Sequence, residues 1–159
     1  MRARKKQETP SANMARMAGL TIVEMMVVII IVGILLAVAI PIYKEHTIKA
    51  RRTEGKSALL QVMQQQERYY SVHTRYASFH AGVTEPDGLA FRWHSGETPA
   101  TSAYEISAQP CSGKLLHECI QLTARPGTSR VDNRFADPKC GDLALTSDGR
   151  RLAAREGCW

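Results

Sequence analysis

GLTIVEMMVVIIIVGILLAVAIP, residues 19–41, is the stretch that decides the architecture. From Met25 to Ile40 no side chain is charged or polar. As a helix, residues 20–40 span about 31 Å at ~1.5 Å per residue, enough to cross the hydrocarbon core of a bilayer. One charge, Glu24, sits near the upstream edge of this run. A carboxylate at a bilayer centre costs about 2.5–3.5 kcal/mol on insertion scales. Two readings of Glu24 follow: it is solvated at headgroup level, or it awaits a positive partner inside an assembly.

The segment before the run has an unusual order. An ordinary secretory signal places its small-residue cleavage site after the apolar core. Here a basic leader comes first, then Met17-Ala18-Gly19, and only then the apolar run. A cut after Gly19 removes the charges and leaves the anchor in place. Residues 1–19 hold five Lys/Arg and one acid, whereas residues 20–159 hold sixteen bases and fourteen acids. The formal charge of +6 is therefore mostly a property of the leader, and it is poor evidence for a polyanion partner. The true start is open among Met1, Met14 and Met17.

Gly19-Leu20-Thr21-Ile22-Val23-Glu24, followed by the apolar run with Gly33 and Pro41, resembles the N-terminal motif of type IV pilins and related pseudopilins. The resemblance implies cleavage between Gly19 and Leu20 by a prepilin peptidase and N-methylation of Leu20. It further implies that Glu24 of one subunit pairs with the new Leu20 amine of a neighbour during assembly. Leu20 departs from the phenylalanine usual after the cut, but cleavage in that family depends mainly on the glycine. The implied partners are other pilin subunits, the peptidase, the membrane and an inner-membrane assembly platform. The implied localisation is a single pass in the inner membrane, then a cell-surface pilus.

Charge does not orient the anchor, because residues 44–56 carry as many Lys/Arg as the leader does. The cysteines orient it better. Cys111, Cys119, Cys140 and Cys158 need an oxidising side, which places the C-terminal part in the periplasm or outside. Three pairings are open. Cys111–Cys119 with Cys140–Cys158 is favoured because each bond closes a short loop. The separations are not zinc spacings. The last pair, with Asp137-x-x-Cys140-Gly141 before it and Gly157-Cys158-Trp159 after it, is similar to the C-terminal disulfide loop of PilE-type minor pilins.

Beyond the anchor, Ala58, Leu59, Val62, Met63, Gln66 and Tyr69-Tyr70 recur at spacings of three and four, opposite Lys56, Gln64, Gln65, Glu67 and Arg68. This predicts one helix from Leu20 to about Ser71, weakened at Gly33 and kinked at Pro41. Residues 73–103 show no sustained period and carry turn signals such as Pro86-Asp87-Gly88, with Phe91 and Trp93 as anchors to the head. Alternating runs at 104–108, 119–123 and 142–146, with a hairpin through Ser147-Asp148-Gly149 into Arg150-Arg151-Leu152, predict three or four antiparallel strands. The expected fold is therefore α+β: one long N-terminal helix packed on a small antiparallel sheet. The expected organisation is a leader over 1–19, an anchor over 20–42 and a head over 43–159.

The function this supports is structural: a pilus subunit, in particular a minor pilin serving assembly, twitching motility, adhesion or DNA uptake. A pseudopilin of a type II secretion system shares the N-terminus and is the near alternative. Two cysteine bridges favour the pilin, and Asp132, Asp137 and Asp142 lack the spacing of a calcium loop. A DNA-binding head is the alternative from another class. Arg125, Arg130, Arg134, Lys139, Arg150, Arg151 and Arg155 cluster in sequence, but the acids among them favour a solvated mixed-charge surface. His73, His80 and His94 match no metal spacing. No nucleophile–base or paired-carboxylate spacing suggests an enzyme or a cofactor.

Overall fold

The computed structural model describes residues 21–82 and 91–159, so Gly19 and Leu20 and their expected processing lie outside the described residues. The chain separates into two units, one ending at Pro41 and the other running from Ile42 to Trp159.

Helix α1 covers Ile22–His73 and stays helical through Gly33 and Pro41. Thr21 caps its start: the Thr21 hydroxyl accepts the Glu24 backbone N–H at 3.2 Å, satisfying a donor that no helical carbonyl can reach. The helix stops at Thr74, a non-glycine residue in the left-handed region (φ 56°), whose N–H closes onto the Tyr70 carbonyl. Residues 21–47 are all exposed. Further along, one stripe is buried: Arg52, Gly55, Ala58, Leu59, Val62, Gln66 and Tyr69. Its steps of three and four put these side chains on one face. The stripe therefore begins six residues earlier than the apolar residues alone indicate, at Arg52 rather than Ala58, because an arginine and a glycine belong to it.

That face packs on a four-stranded antiparallel sheet in the order β1-β2-β3-β4: β1 Tyr104–Pro110, β2 Ile120–Pro126, β3 Leu143–Thr146 and β4 Arg151–Ala153. Period-two alternation turns Tyr104, Ile106 and Ala108 of β1 and Ile120, Leu122 and Ala124 of β2 into the core. The register continues the layer across the sheet, with Ile106 opposite Ala124, Leu122 opposite Leu145, and Ala124 opposite Leu143. Leu59, Val62, Tyr104, Ile106, Ile120, Leu122 and Leu143 have no exposed surface. The β3–β4 turn uses Gly149 at φ 84°, a conformation that favours glycine.

The connecting segment does more than link. Phe79 bridges to Ala108 and His94 to Glu105, so it covers the outer edge of β1, which would otherwise offer unpaired backbone groups. Phe91 is buried, stacks on Phe79 at 5.1 Å and meets Tyr69 edge-on; Trp93 packs partly against the same core. Gln66 holds the segment from the helix side, donating to the Ala77 carbonyl at 2.8 Å and accepting the Ala77 N–H at 2.9 Å. Both disulfides are closed, Cys111–Cys119 around the β1–β2 connection and Cys140–Cys158 tying the C-terminal segment to the start of β3.

Candidate functional site

Two regions carry chemistry that the fold alone does not demand. The first is the start of α1. Thr21 precedes the helix and Glu24 lies in its first turn, so Thr21-x-x-Glu24 has the spacing of a helix-start box. Glu24 thus sits in the first turn, at the positive end of the helix dipole, where an acidic residue is favoured. Every apolar side chain after it, from Met25 to Ile42, is exposed, and none is buried against another of the described residues. A continuous apolar surface of this length is matched by lipid or by other chains. The sequence reading missed the Thr21 cap; the Thr-x-x-Glu spacing is the signal that marks it.

The second region is the C-terminal loop. Its centre is Asp137, which is buried. Its Oδ2 accepts Arg52 Nε at 2.7 Å and the Tyr104 hydroxyl at 2.8 Å, while its Oδ1 accepts Arg52 Nη2 at 2.7 Å and the Cys140 N–H at 3.1 Å. Burial pushes this carboxyl up, but the Arg52, Tyr104 and Cys140 donors outweigh it and hold the group below the ordinary carboxylate range. Burial first, then Asp137, pushes the Tyr104 hydroxyl well above its usual value. Asp137 itself raises Arg52, which stays charged. The loop base is thus clamped to α1 by a bidentate ion pair next to the Cys140–Cys158 bond. Gly55 allows this approach: a Cβ there would lie 2.8 Å from the Tyr104 ring.

The C-terminal arginines do not act as one free basic face. Arg125 pairs with Asp142 at 3.2 Å, Arg130 with Glu105 at 3.8 Å, Arg134 with Asp132 at 3.7 Å and Arg150 with Asp148 at 2.9 Å. Arg151 instead lies over the Trp159 ring, 5.7 Å from its centroid. Among the described residues no group of His, Cys, Asp and Glu is arranged to hold a metal ion. His94 places Nδ1 2.9 Å from the Gly96 carbonyl, which organises the turn before β1.

A family profile described as type IV minor pilin ComP, DNA uptake sequence receptor, matches residues 41–144. The chain is 53% identical over 135 residues to the type IV major pilin protein PilE of Neisseria gonorrhoeae, covering 82% of this chain and 69% of that protein. It is 32% identical over 137 residues to a fimbrial protein of Neisseria meningitidis serogroup A, covering 82% and 68%. Over 64 residues it is 34% identical to the type IV major pilin protein PilA of Myxococcus xanthus, spanning 40% of this chain and 29% of PilA. Among solved structures it is similar to a type IV pilin from Shewanella oneidensis, at a TM-score of 0.44 and 26% identity, covering 70% of this chain and 97% of that one.

Proposed function

The chain belongs to the type IV pilin family, and from that premise we propose that it is a minor pilin whose head contacts DNA during uptake. The observation that carries the proposal is the match of residues 41–144, most of the head, to a minor pilin family described as a DNA uptake sequence receptor. Sequence alone favoured a solvated mixed-charge surface; the family match is what brings DNA forward.

The apolar half of α1 serves as membrane anchor before assembly and as filament core after it. A prepilin peptidase cuts between Gly19 and Leu20, the Leu20 amine is methylated, and Glu24 receives that cation from a neighbouring subunit. In lipid or filament core both charges are costly alone, so the pair is favoured by mutual neutralisation. Gly33 and Pro41 are the points at which α1 loosens or bends in the fibre. Two closed disulfides support a head on the oxidising side, and the assembly platform acts on the membrane segment.

Mass spectrometry of filaments sheared from cells tests this reading. The expected result is a low-abundance peptide beginning at N-methylated Leu20, lost from filaments in Glu24→Ala. Normal incorporation of Glu24→Ala rejects the pairing, and a dominant signal rejects the minor rank. The DNA reading is tested with the full chain in detergent, whose affinity for duplex should fall steeply with salt.

A further inference from the structure

Leu145 of β3 points into the helix-facing core, and Arg151 of β4 is its register partner. Paired residues share a face, so Arg151 leaves the sheet edge on the side of α1. There α1 presents Lys56. Lys56 is half-buried and makes no ion pair among the described residues. Burial first, then repulsion from Arg52 and Arg151, pushes its ammonium below the ordinary value. The nearby carboxylate, Asp137, is already committed to Arg52, Tyr104 and the Cys140 N–H. Arg151 lies over the Trp159 ring, and that indole donates its N–H to the Leu152 carbonyl at 2.9 Å. Arg151, Arg155 and Trp159 line a cavity of about 300 Å³, with Glu156 as its acid.

Lys56 and Arg151 repel each other in the free protein, and Arg155 on the adjoining cavity wall adds a cation against the single charge of Glu156, so the group is suited to a ligand that supplies further negative charge. We propose that Lys56, Arg151 and Arg155 form a phosphate site that seats the backbone of duplex DNA. The proposal rests on the DNA reading above and deepens it. Arg151, Arg155 and Trp159 all lie beyond the 41–144 segment that the family match covers. Trp159 acts here as the platform that fixes the Arg151 guanidinium. A phosphate contact of this kind sets the position of the duplex and carries no base sequence by itself.

The test uses the full chain in detergent, a short fluorescent duplex and a salt series. Removing one cation that neutralises a phosphate lowers the slope of log affinity against log salt by about 0.9. Lys56→Gln with Arg151→Gln should lower the slope by about 1.8 and weaken binding about tenfold near 0.1 M salt, equally for duplexes of different sequence. Lys56→Arg with Arg151→Lys should retain binding. Lys56→Gln alone should keep or raise the thermal midpoint, since it removes a repelled charge, whereas a purely structural lysine would lower it. Wild-type binding that the double Gln variant leaves unchanged overturns the site and spares the DNA reading. A wild-type chain that binds no duplex at low salt overturns the DNA reading and the site together.

Discussion

Helix α1 contains two halves of the same secondary structure that serve opposite ends. From Thr21 to Thr47 every residue is exposed and the apolar side chains run all round. From Arg52 to Tyr69 a single stripe is buried and the other face is polar. A helix that is apolar all round has no inside of its own, so its stabilising contacts come from lipid or other chains. An amphipathic helix has one, and here it is the sheet. The first half therefore carries the information for assembly, and the second carries the information for the fold of the head.

The largest break in that comparison should come at the clamp between the second half and the C-terminal loop. Asp137→Asn leaves the Arg52 guanidinium buried without its counter-charge, and should destabilise the head by about 3–5 kcal/mol in thermal or denaturant unfolding. The same clamp sets an acid limit. Because the folded Asp137 titrates below its unfolded value of about 3.9, its contribution is complete above that pH and is lost as pH falls through the folded value. A scan of thermal midpoint against pH should show an acid limb that is shallower in Asp137→Asn.

A matched pair sharpens the comparison next. Leu59→Ala, at a position with no exposed surface, should cost about 2–5 kcal/mol. Leu35→Ala, at an exposed position of the same helix, should leave head unfolding unchanged and act on membrane retention or filament incorporation. Equal effects of the two on the head would erase the distinction between the halves. The smallest effect belongs to Gly55→Ala. Helix propensity favours alanine by about 1 kcal/mol, but the new Cβ meets a rigid buried Tyr104 ring. Net destabilisation of about 1–3 kcal/mol is expected, read from the denaturant midpoint.

The basic residues show the same contrast between local and distant information. Along the chain, seven late Lys/Arg read as one patch diluted by acids. Folding pairs Arg125, Arg130, Arg134 and Arg150 with carboxylates. It leaves Arg151 beside a lysine from the helix, Lys56, that no sequence window joins to it. Residues 73–82 and 91–103 likewise read as a loop because they have no period. Their role is to cover the β1 edge at single positions, Phe79 and His94, which leaves no repeating pattern to read.

Sequence by itself determined the apolar anchor, the charge within it, the amphipathic stripe and the strands, and it favoured the local disulfide loops among three open pairings. Each of these is written in periodicities and separations of a few residues, because helix and strand geometry act over such distances. Only the tertiary structure decided that Arg52 would meet Asp137, that Gly55 would admit Tyr104, and that Lys56 would face Arg151. Arg52 and Asp137 lie 85 residues apart, and nothing in local geometry links positions so distant. Their meeting follows from the sheet register and from the face of α1 that packs on it.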